Sequence, residues 1–217
     1  MKIGVSTACL YPQKLETSVE LLGKMGIETI EVFVNTFSEM EPAFLKKLKD
    51  ILSYYNMSVH SCHPFTSELE PIMFFSEYER RLDDILELYR RYFYAMNELG
   101  AEIFVFHGDR KHGQISIAEY AENFAKLRDL GRTFGITVTQ ENVERCKSGE
   151  LEFISGLRRL LGDDVAFTLD LKQALRSGLK PMEVAQTMGR CLAHIHLNDN
   201  DEIHDCLLPG FGSFPFQ

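Results

Sequence analysis

Carboxylate and imidazole side chains stand where several short apolar runs of this sequence end. Glu141 and Asp170 each follow such a run directly, and His196 lies near the end of another. Two carboxylates and one imidazole suit Mn²⁺, Mg²⁺ or Zn²⁺, particularly when water or substrate oxygens complete the shell. A divalent ion held there could bind both oxygens of a hydroxy-ketone and stabilise an enediolate while a carboxylate moves the proton.

Three further histidines occupy the same kind of position. His63 and His107 follow two earlier apolar runs, and His194 shares one side of the last strand with His196, two residues away. Taken singly, each polar residue has an ordinary role open to it, as a helix cap, a solvated carboxylate or a structural histidine. Five successive runs that end in a histidine or a carboxylate are harder to attribute to chance. In a parallel barrel they would share the face on which active sites are built.

The elements that must position these residues alternate along the chain. Short β-branched or aromatic runs are separated by segments with apolar residues at i, i+3, i+4 and i+7. One helical segment ends at Gly100, one begins with a capping box at Ser116 and Glu119, and one begins at Pro181. This order predicts parallel strands with right-handed crossovers, and the lack of a Gly-rich loop after the first run disfavours a dinucleotide-binding sheet. The predicted strands are 2–7, 28–34, 57–62, 102–106, 136–140, 165–169 and 192–197.

Composition narrows the class of protein. At 217 residues, with 45% hydrophobic and 25% charged residues and no linker, the chain is expected to form one domain over 1–217. Its net charge of −9 disfavours a nucleic-acid partner. Five scattered cysteines without a C-x-x-C pair, no leader sequence and no membrane span predict a reduced, cytoplasmic protein.

Six segments carry a resemblance to a known family. They read Val-His-Ser-Cys-His-Pro-Phe at 59–65, Val-Phe-His-Gly at 105–108, Gln-Glu-Asn at 140–142, Phe-Thr-Leu-Asp at 167–170, His-Ile-His-Leu-Asn-Asp-Asn at 194–200 and Leu-Pro-Gly-Phe-Gly-Ser at 208–213. In this order the chain resembles the xylose isomerase-like TIM barrel family over nearly its whole length. That family includes sugar-phosphate and keto-sugar isomerases and epimerases, inosose dehydratase-like proteins and AP endonucleases.

The resemblance implies an α/β fold, a (β/α)₈-type TIM barrel. Glu141, Asp170 and His196 match three of the four ligands of the family's single-metal site, and the residue at the position of Glu141 is also a catalytic acid/base. A second glutamate, on the eighth strand, supplies the fourth ligand and the opposing acid/base. The sequence ends at Gln217, before that strand, so we expect a barrel that lacks the eighth β/α unit.

The resemblance also implies a substrate site. The pocket-lining positions that would bind substrate hydroxyls are His63, His107, Gln173 and His194. The leading hypothesis is therefore a divalent-metal-dependent isomerase or epimerase of a small-molecule sugar or sugar phosphate. A dehydratase would use the same ligands, and a homo-oligomer stays open.

Two other classes of function are kept as alternatives. An AP endonuclease-like phosphodiesterase with a multi-zinc site would need a histidine three residues after Asp170, where this chain has Gln173. It would also need an Asp-x-His after the seventh strand, which His204-Asp205-Cys206 does not provide. A non-catalytic barrel that binds carbohydrate or a partner protein is the third hypothesis.

Overall fold

The computed structural model describes residues 2–216, in which seven β-strands alternate with α-helices. The strands are β1 (Val5–Ser6), β2 (Thr29–Val34), β3 (Ser58–Pro64), β4 (Ile103–Phe106), β5 (Thr137–Glu141), β6 (Ala166–Asp170) and β7 (Leu192–His196). The helices are α1 (Leu15–Lys24), α2 (Pro42–Tyr54), α3 (Glu70–Met73), α4 (Arg80–Leu99), α5 (Ile117–Arg132), α6 (Leu151–Leu161), α7 (Leu171–Arg176) and α8 (Pro181–Met188).

All seven predicted strands are confirmed, and the first differs most from its prediction. Only Val5–Ser6 of the predicted 2–7 is a strand. The chain turns into a 3-10 helix at Thr7 because the Ser6 hydroxyl accepts a hydrogen bond from the backbone N–H of Ala8.

The local signals for helix ends are also confirmed. Gly100 ends α4 in the left-handed region with φ of 73°. Ser116 and Glu119 form the capping box of α5, with each side chain bonded to the backbone N–H of the other residue. Pro181 occupies the first turn of α8, where its missing N–H leaves no helical bond unmade.

The chain divides into two compact units. The first comprises the residues up to Leu69, Tyr78–Phe106 and Lys126–Val138. In it β1, β2, β3 and β4 pair in sequence order and in parallel, for example Val5 with Ile30 and Cys62 with Phe104. Helix α4 covers β4 with aromatic rings, and the centroid of Phe104 lies 5.2 Å from Tyr89 and 5.3 Å from Phe93.

The second unit comprises Glu70–Glu77, His107–Ala125 and the residues from Thr139 onward. Here β5, β6 and β7 pair in parallel, and the register sets Asp170 opposite His196. Tyr120 is fully buried between a stacked Phe75 and the edge of Phe153, at centroid distances of 4.4 and 4.8 Å. The prediction of a single domain over 1–217 stays a prediction.

Two expectations from composition can be compared with the structure. All five cysteines are free thiols, and burial, with the nearby charge of Glu31, raises the pKa of the Cys62 thiol far above its ordinary value. Between residues 2 and 216, none of the helices combines the length and apolar character that crossing a membrane requires.

The aromatic layer between α4 and β4 yields a test of stability. Phe104→Ala removes a fully buried ring that packs against three others, so we expect a loss of about 3–5 kcal/mol in the free energy of unfolding. Tyr54→Ala, at an 81% exposed position, should cost about 0.5 kcal/mol or less. Chemical denaturation of both variants measures the difference, and equal losses would contradict this packing.

Candidate metal centre and active site

Four polar residues of the second unit lie at or next to the C-terminal ends of consecutive strands. Glu141, Asp170 and His196 are the last residues of β5, β6 and β7, and His107 directly follows β4. Strand ends in parallel register point the same way, so their side chains converge. Glu141, Asp170 and His107 are buried, and His196 is partly exposed.

Glu141 is the centre of this cluster. Its Oε1 lies 2.8 Å from Nδ1 of His196, and its Oε2 lies 2.8 Å from Nε2 of His107. Both carboxylate oxygens are therefore bonded to imidazoles, which is how a buried negative charge is tolerated.

The electrostatics of the cluster follow from burial and charge. Burial alone would raise the pKa of Glu141, but the charges and hydrogen bonds of His107 and His196 outweigh it and hold that pKa well below its ordinary value. Burial would lower the pKa of His107, but Glu141 outweighs it and the pKa of His107 is raised. At neutral pH Glu141 is thus ionised, and His107 donates the shared proton to it.

The two carboxylate oxygens of Asp170 have different neighbours, a backbone N–H of α7 for one and His196 of the cluster for the other. Its Oδ1 accepts a hydrogen bond from the backbone N–H of Gln173 at 2.9 Å and caps α7, a role that the sequence left open. Its Oδ2 lies 3.7 Å from Nδ1 of His196. Asn142 fixes the backbone of Asp170 by accepting from its N–H at 2.7 Å and donating to its carbonyl at 3.0 Å.

The donor set fits a divalent metal ion. One ligand atom each from Glu141, Asp170 and His196 can be chosen so that all lie within 4.8 Å of one another. Ligands that bind one ion at about 2.1 Å each lie no more than about 4.2 Å apart, and the 2.8 and 3.7 Å separations from His196 meet that condition. Oxygen and imidazole donors without thiolate suit Mn²⁺, Mg²⁺ or Zn²⁺.

The other predicted substrate-binding residues have different surroundings. Gln173 uses its side-chain oxygen to accept from the backbone N–H of Glu144 at 3.1 Å, and the ring of His194 meets the edge of His196 at 5.1 Å. His63, in β3 of the first unit, stacks on Phe33 with centroids 5.1 Å apart. The substrate-binding role of His63, His107, Gln173 and His194 stays a prediction.

A buried carboxylate that sequence reasoning missed supports His107. Glu70 is fully buried, and its Oε2 accepts the backbone N–H groups of His107 at 2.9 Å and Gly108 at 2.6 Å. Nothing in the spacing distinguishes Glu70 from its acidic neighbours Glu68 and Glu77, because the contact spans 37 residues of chain.

A second missed network fixes the backbone between His107 and Glu141. The Gln140 amide donates to the carbonyls of His107 at 2.8 Å and Glu141 at 3.0 Å, and its oxygen accepts from the Tyr120 hydroxyl at 2.5 Å. Gly108 has φ of +93°, and a Cβ there would overlap the Tyr120 hydroxyl, so only glycine fits.

Asp199 organises the loop that follows β7. Its carboxylate accepts four backbone N–H groups at 2.8–2.9 Å, from the residues Asn200, Gly210, Gly212 and Phe214. Burial would raise the pKa of Asp199, but these bonds outweigh it and lower that pKa. The Pro-Gly-x-Gly segment is thus folded around one carboxylate, and Asp199 is a structural residue of this loop.

Comparisons with known proteins identify the fold. Residues 19–217 match a family described as the xylose isomerase-like TIM barrel. The uncharacterized protein Rv0498 of Mycobacterium tuberculosis strain H37Rv is 27% identical over 99% of this chain and 81% of its own length. A D-tagatose 3-epimerase-like protein superposes with a TM-score of 0.79 at 22% identity, covering 100% of this chain and 83% of its own. The IOLI protein, solved with a binding zinc atom, superposes with a TM-score of 0.76 at 17% identity. That match covers 98% of this chain and 81% of the IOLI chain.

These matches confirm the predicted fold class, an α/β fold of the xylose isomerase-like TIM barrel type. The part of the chain that the structure describes contains seven strands and no eighth, which agrees with the prediction of a missing eighth unit. The solved structures share fewer than a quarter of their residues with this chain, so they establish the fold and not the reaction.

The His107–Glu141 pair yields a prediction about pH. In chelator-treated protein the interactions that raise the pKa of His107 stabilise the fold. Their contribution is complete below the ordinary histidine pKa of 6.5 and is lost as the pH rises through the pKa of His107 in the folded protein. The interactions that lower the pKa of Glu141 stabilise the fold fully above the ordinary glutamate pKa of 4.5. Their contribution is lost as the pH falls through the pKa of Glu141 in the folded protein. The free energy of unfolding should therefore decline above pH 6.5, and His107→Gln should flatten that decline.

Denaturant titrations between pH 5 and 9 measure this effect. His112→Gln is the matched control, because His112 is an exposed histidine of the loop that follows β4. An identical decline in the wild type and His107→Gln would show that the pair is not its source.

The loop held by Asp199 yields a separate prediction. Asp199→Asn replaces a carboxylate oxygen by an NH₂ group that faces backbone N–H groups, so at least two of the four bonds should be lost. We expect faster proteolysis within 200–214 than in the wild type, measured by mass spectrometry of limited digests. Glu202→Gln, at an exposed position of the same loop, should leave the cleavage rate unchanged.

Proposed function

Because the chain belongs to the xylose isomerase-like TIM barrel family, we propose that it is a metal-dependent isomerase or epimerase of a sugar or sugar phosphate. The reaction would be proton transfer next to a carbonyl group, through an enediolate. One observation carries the proposal: Glu141, Asp170 and His196 bring ligand atoms within 4.8 Å of one another at consecutive strand ends. The likeness to a D-tagatose 3-epimerase-like protein and to a zinc-binding relative supports it.

Glu141, Asp170 and His196 are the residues that would hold the ion. When bound, a divalent ion supplies Lewis acidity, polarising the substrate carbonyl and making the neighbouring C–H more acidic. Oδ1 of Asp170 is committed to the backbone of α7, so Oδ2 is the oxygen available as a ligand. His196 must lose the Nδ1 proton that it shares with Glu141, so metal affinity should fall at acidic pH.

Glu141 is proposed as the group that moves the proton. Its lowered pKa keeps the carboxylate ionised and ready to accept a proton at neutral pH, but it also makes the carboxylate a weak base. A weak base can deprotonate carbon only when the C–H bond has been acidified, so the base and the metal site have to act on the same substrate. Glu141 would combine the two functions in one side chain, as a metal ligand and as the base.

His107 is proposed to hold Glu141 in position. Its Nε2–H group fixes Oε2 of Glu141, and the backbone of His107 is itself fixed by Glu70 and Gln140. A carboxylate that is already held in place by such a donor loses little freedom when substrate binds, which favours catalysis.

The proposal is tested by Glu141→Gln. The amide keeps the volume but removes the charge, a metal ligand and the base, so we expect turnover on a panel of ketoses and ketose phosphates to fall by about 10²–10⁴-fold. Metal content per chain, measured by elemental analysis after loading with Mn²⁺ or Zn²⁺, should fall as well. Full turnover with bound metal would contradict the role of Glu141.

Glu144→Gln is the control for this experiment. Glu144 lies three residues further on, and its contact with Gln173 uses only its backbone N–H, so the substitution should change neither metal content nor turnover. About three zinc ions per chain would favour the phosphodiesterase alternative instead. Binding of a ketose with neither metal nor turnover would favour the non-catalytic barrel.

A further inference from the structure

The side-chain amide of Gln140 connects the backbone of the two residues that form the His107–Glu141 pair. Its nitrogen donates hydrogen bonds to the carbonyl oxygens of His107 at 2.8 Å and Glu141 at 3.0 Å. These are the residues whose side chains meet at 2.8 Å, Nε2 of His107 against Oε2 of Glu141. One amide group therefore holds the backbone from which both side chains of the pair extend.

The hydroxyl of Tyr120 completes the hydrogen bonding of that amide. Burial raises the pKa of Tyr120 well above its ordinary value, so the hydroxyl stays protonated and is able to donate. It donates to the side-chain oxygen of Gln140 at 2.5 Å, and both residues are fully buried. A reversed amide would set its oxygen against two carbonyl oxygens, so the oxygen faces Tyr120 and the NH₂ group faces the backbone.

The ring that carries this hydroxyl is held on several sides. Phe75 stacks on it with the ring planes 9° apart, and Phe153 packs against it at 85°. The hydroxyl itself occupies the space that a Cβ atom of residue 108 would fill, which the glycine at that position leaves open. Helix α5 thus places one hydroxyl, in a fixed position, beside the chain that follows His107.

We propose that Tyr120 is a positioning residue of the candidate active site and acts through Gln140 on His107 and Glu141. This inference rests on the proposed function, in which Glu141 is a metal ligand and the base. Residues that orient a metal ligand from behind it typically contribute about 10–100-fold to metal affinity or activity. Tyr120 acts through a second side chain, so we expect an effect of about tenfold, at the lower end of that range.

Binding of Zn²⁺ tests the inference without relying on turnover. Tyr120→Phe removes a single oxygen atom and keeps the stacked ring, so Gln140 loses this donor while the packing is retained. The dissociation constant for Zn²⁺, measured on the chelator-treated full chain by competition with a chelating dye, should rise about tenfold.

Tyr92→Phe is the matched control. Tyr92 is also a fully buried tyrosine, but its hydroxyl accepts a hydrogen bond from Thr66 in the first unit and contacts none of the proposed metal ligands. The two variants therefore remove the same atom from equally buried rings. Tyr92→Phe should leave the dissociation constant for Zn²⁺ unchanged.

Kinetics at saturating metal separate positioning from substrate binding. Tyr120→Phe should lower kcat about tenfold on the ketose that the wild type converts and leave KM within about twofold, since a misplaced base slows the reaction without weakening substrate binding. Gln140→Met tests the route of the effect. Adding Tyr120→Phe to Gln140→Met should cost no further activity, because members of one network are not additive. A further tenfold loss would show that Tyr120 does not act through Gln140.

The outcomes distinguish this inference from the proposed function. Turnover of a ketose by the wild type, with the same Zn²⁺ affinity and kcat in Tyr120→Phe, would leave the proposed function standing and overturn the positioning role. Equal losses in Tyr120→Phe and Tyr92→Phe would overturn it as well, because they would reflect a general loss of stability. Zn²⁺ binding that depends on Tyr120, without turnover of any ketose, would support the positioning of the metal ligand and contradict the proposed function.

Discussion

The buried negative charge on Glu141 is the constraint on which the rest of the candidate site depends. A carboxylate removed from water is tolerated only when charged or polar partners replace its hydration. In this protein the partners are the imidazoles of His107 and His196, each 2.8 Å from one carboxylate oxygen. The cluster is stable as a set of paired charges, and the same atoms can serve as metal ligands because the pairing brings them within ligand distance.

The need to keep that charge paired accounts for the polar residues buried around it. Glu70 and Gln140 hold the backbone of His107, and Asn142 holds the backbone of Asp170. None of these three side chains has to contact a substrate. Each forms hydrogen bonds with backbone groups near a strand end that would otherwise be left unpaired. The backbone at these strand ends is therefore held by side-chain hydrogen bonds as well as by the strands themselves.

The evolutionary comparisons and the site carry different kinds of information. Solved structures at 15–22% identity share this fold, which depends on apolar patterning and tolerates extensive substitution. The reaction depends on a few side chains and on the loops around them, so it does not follow from the fold. The carboxylate and imidazole cluster supports the proposal of a metal-dependent isomerase.

The sequence by itself determined the strands, the helix ends and the three members of the candidate metal set. Apolar periodicity and capping residues act over a few residues, so they can be read locally, and the position of Glu141, Asp170 and His196 at strand ends follows from them. Tertiary structure decided which partners these residues meet. The contact of Glu70 with His107 spans 37 residues, and that of Glu141 with His196 spans 55. The bonds of Asp199 to Gly210, Gly212 and Phe214 likewise depend on backbone groups brought together by folding, and no local pattern encodes such pairings.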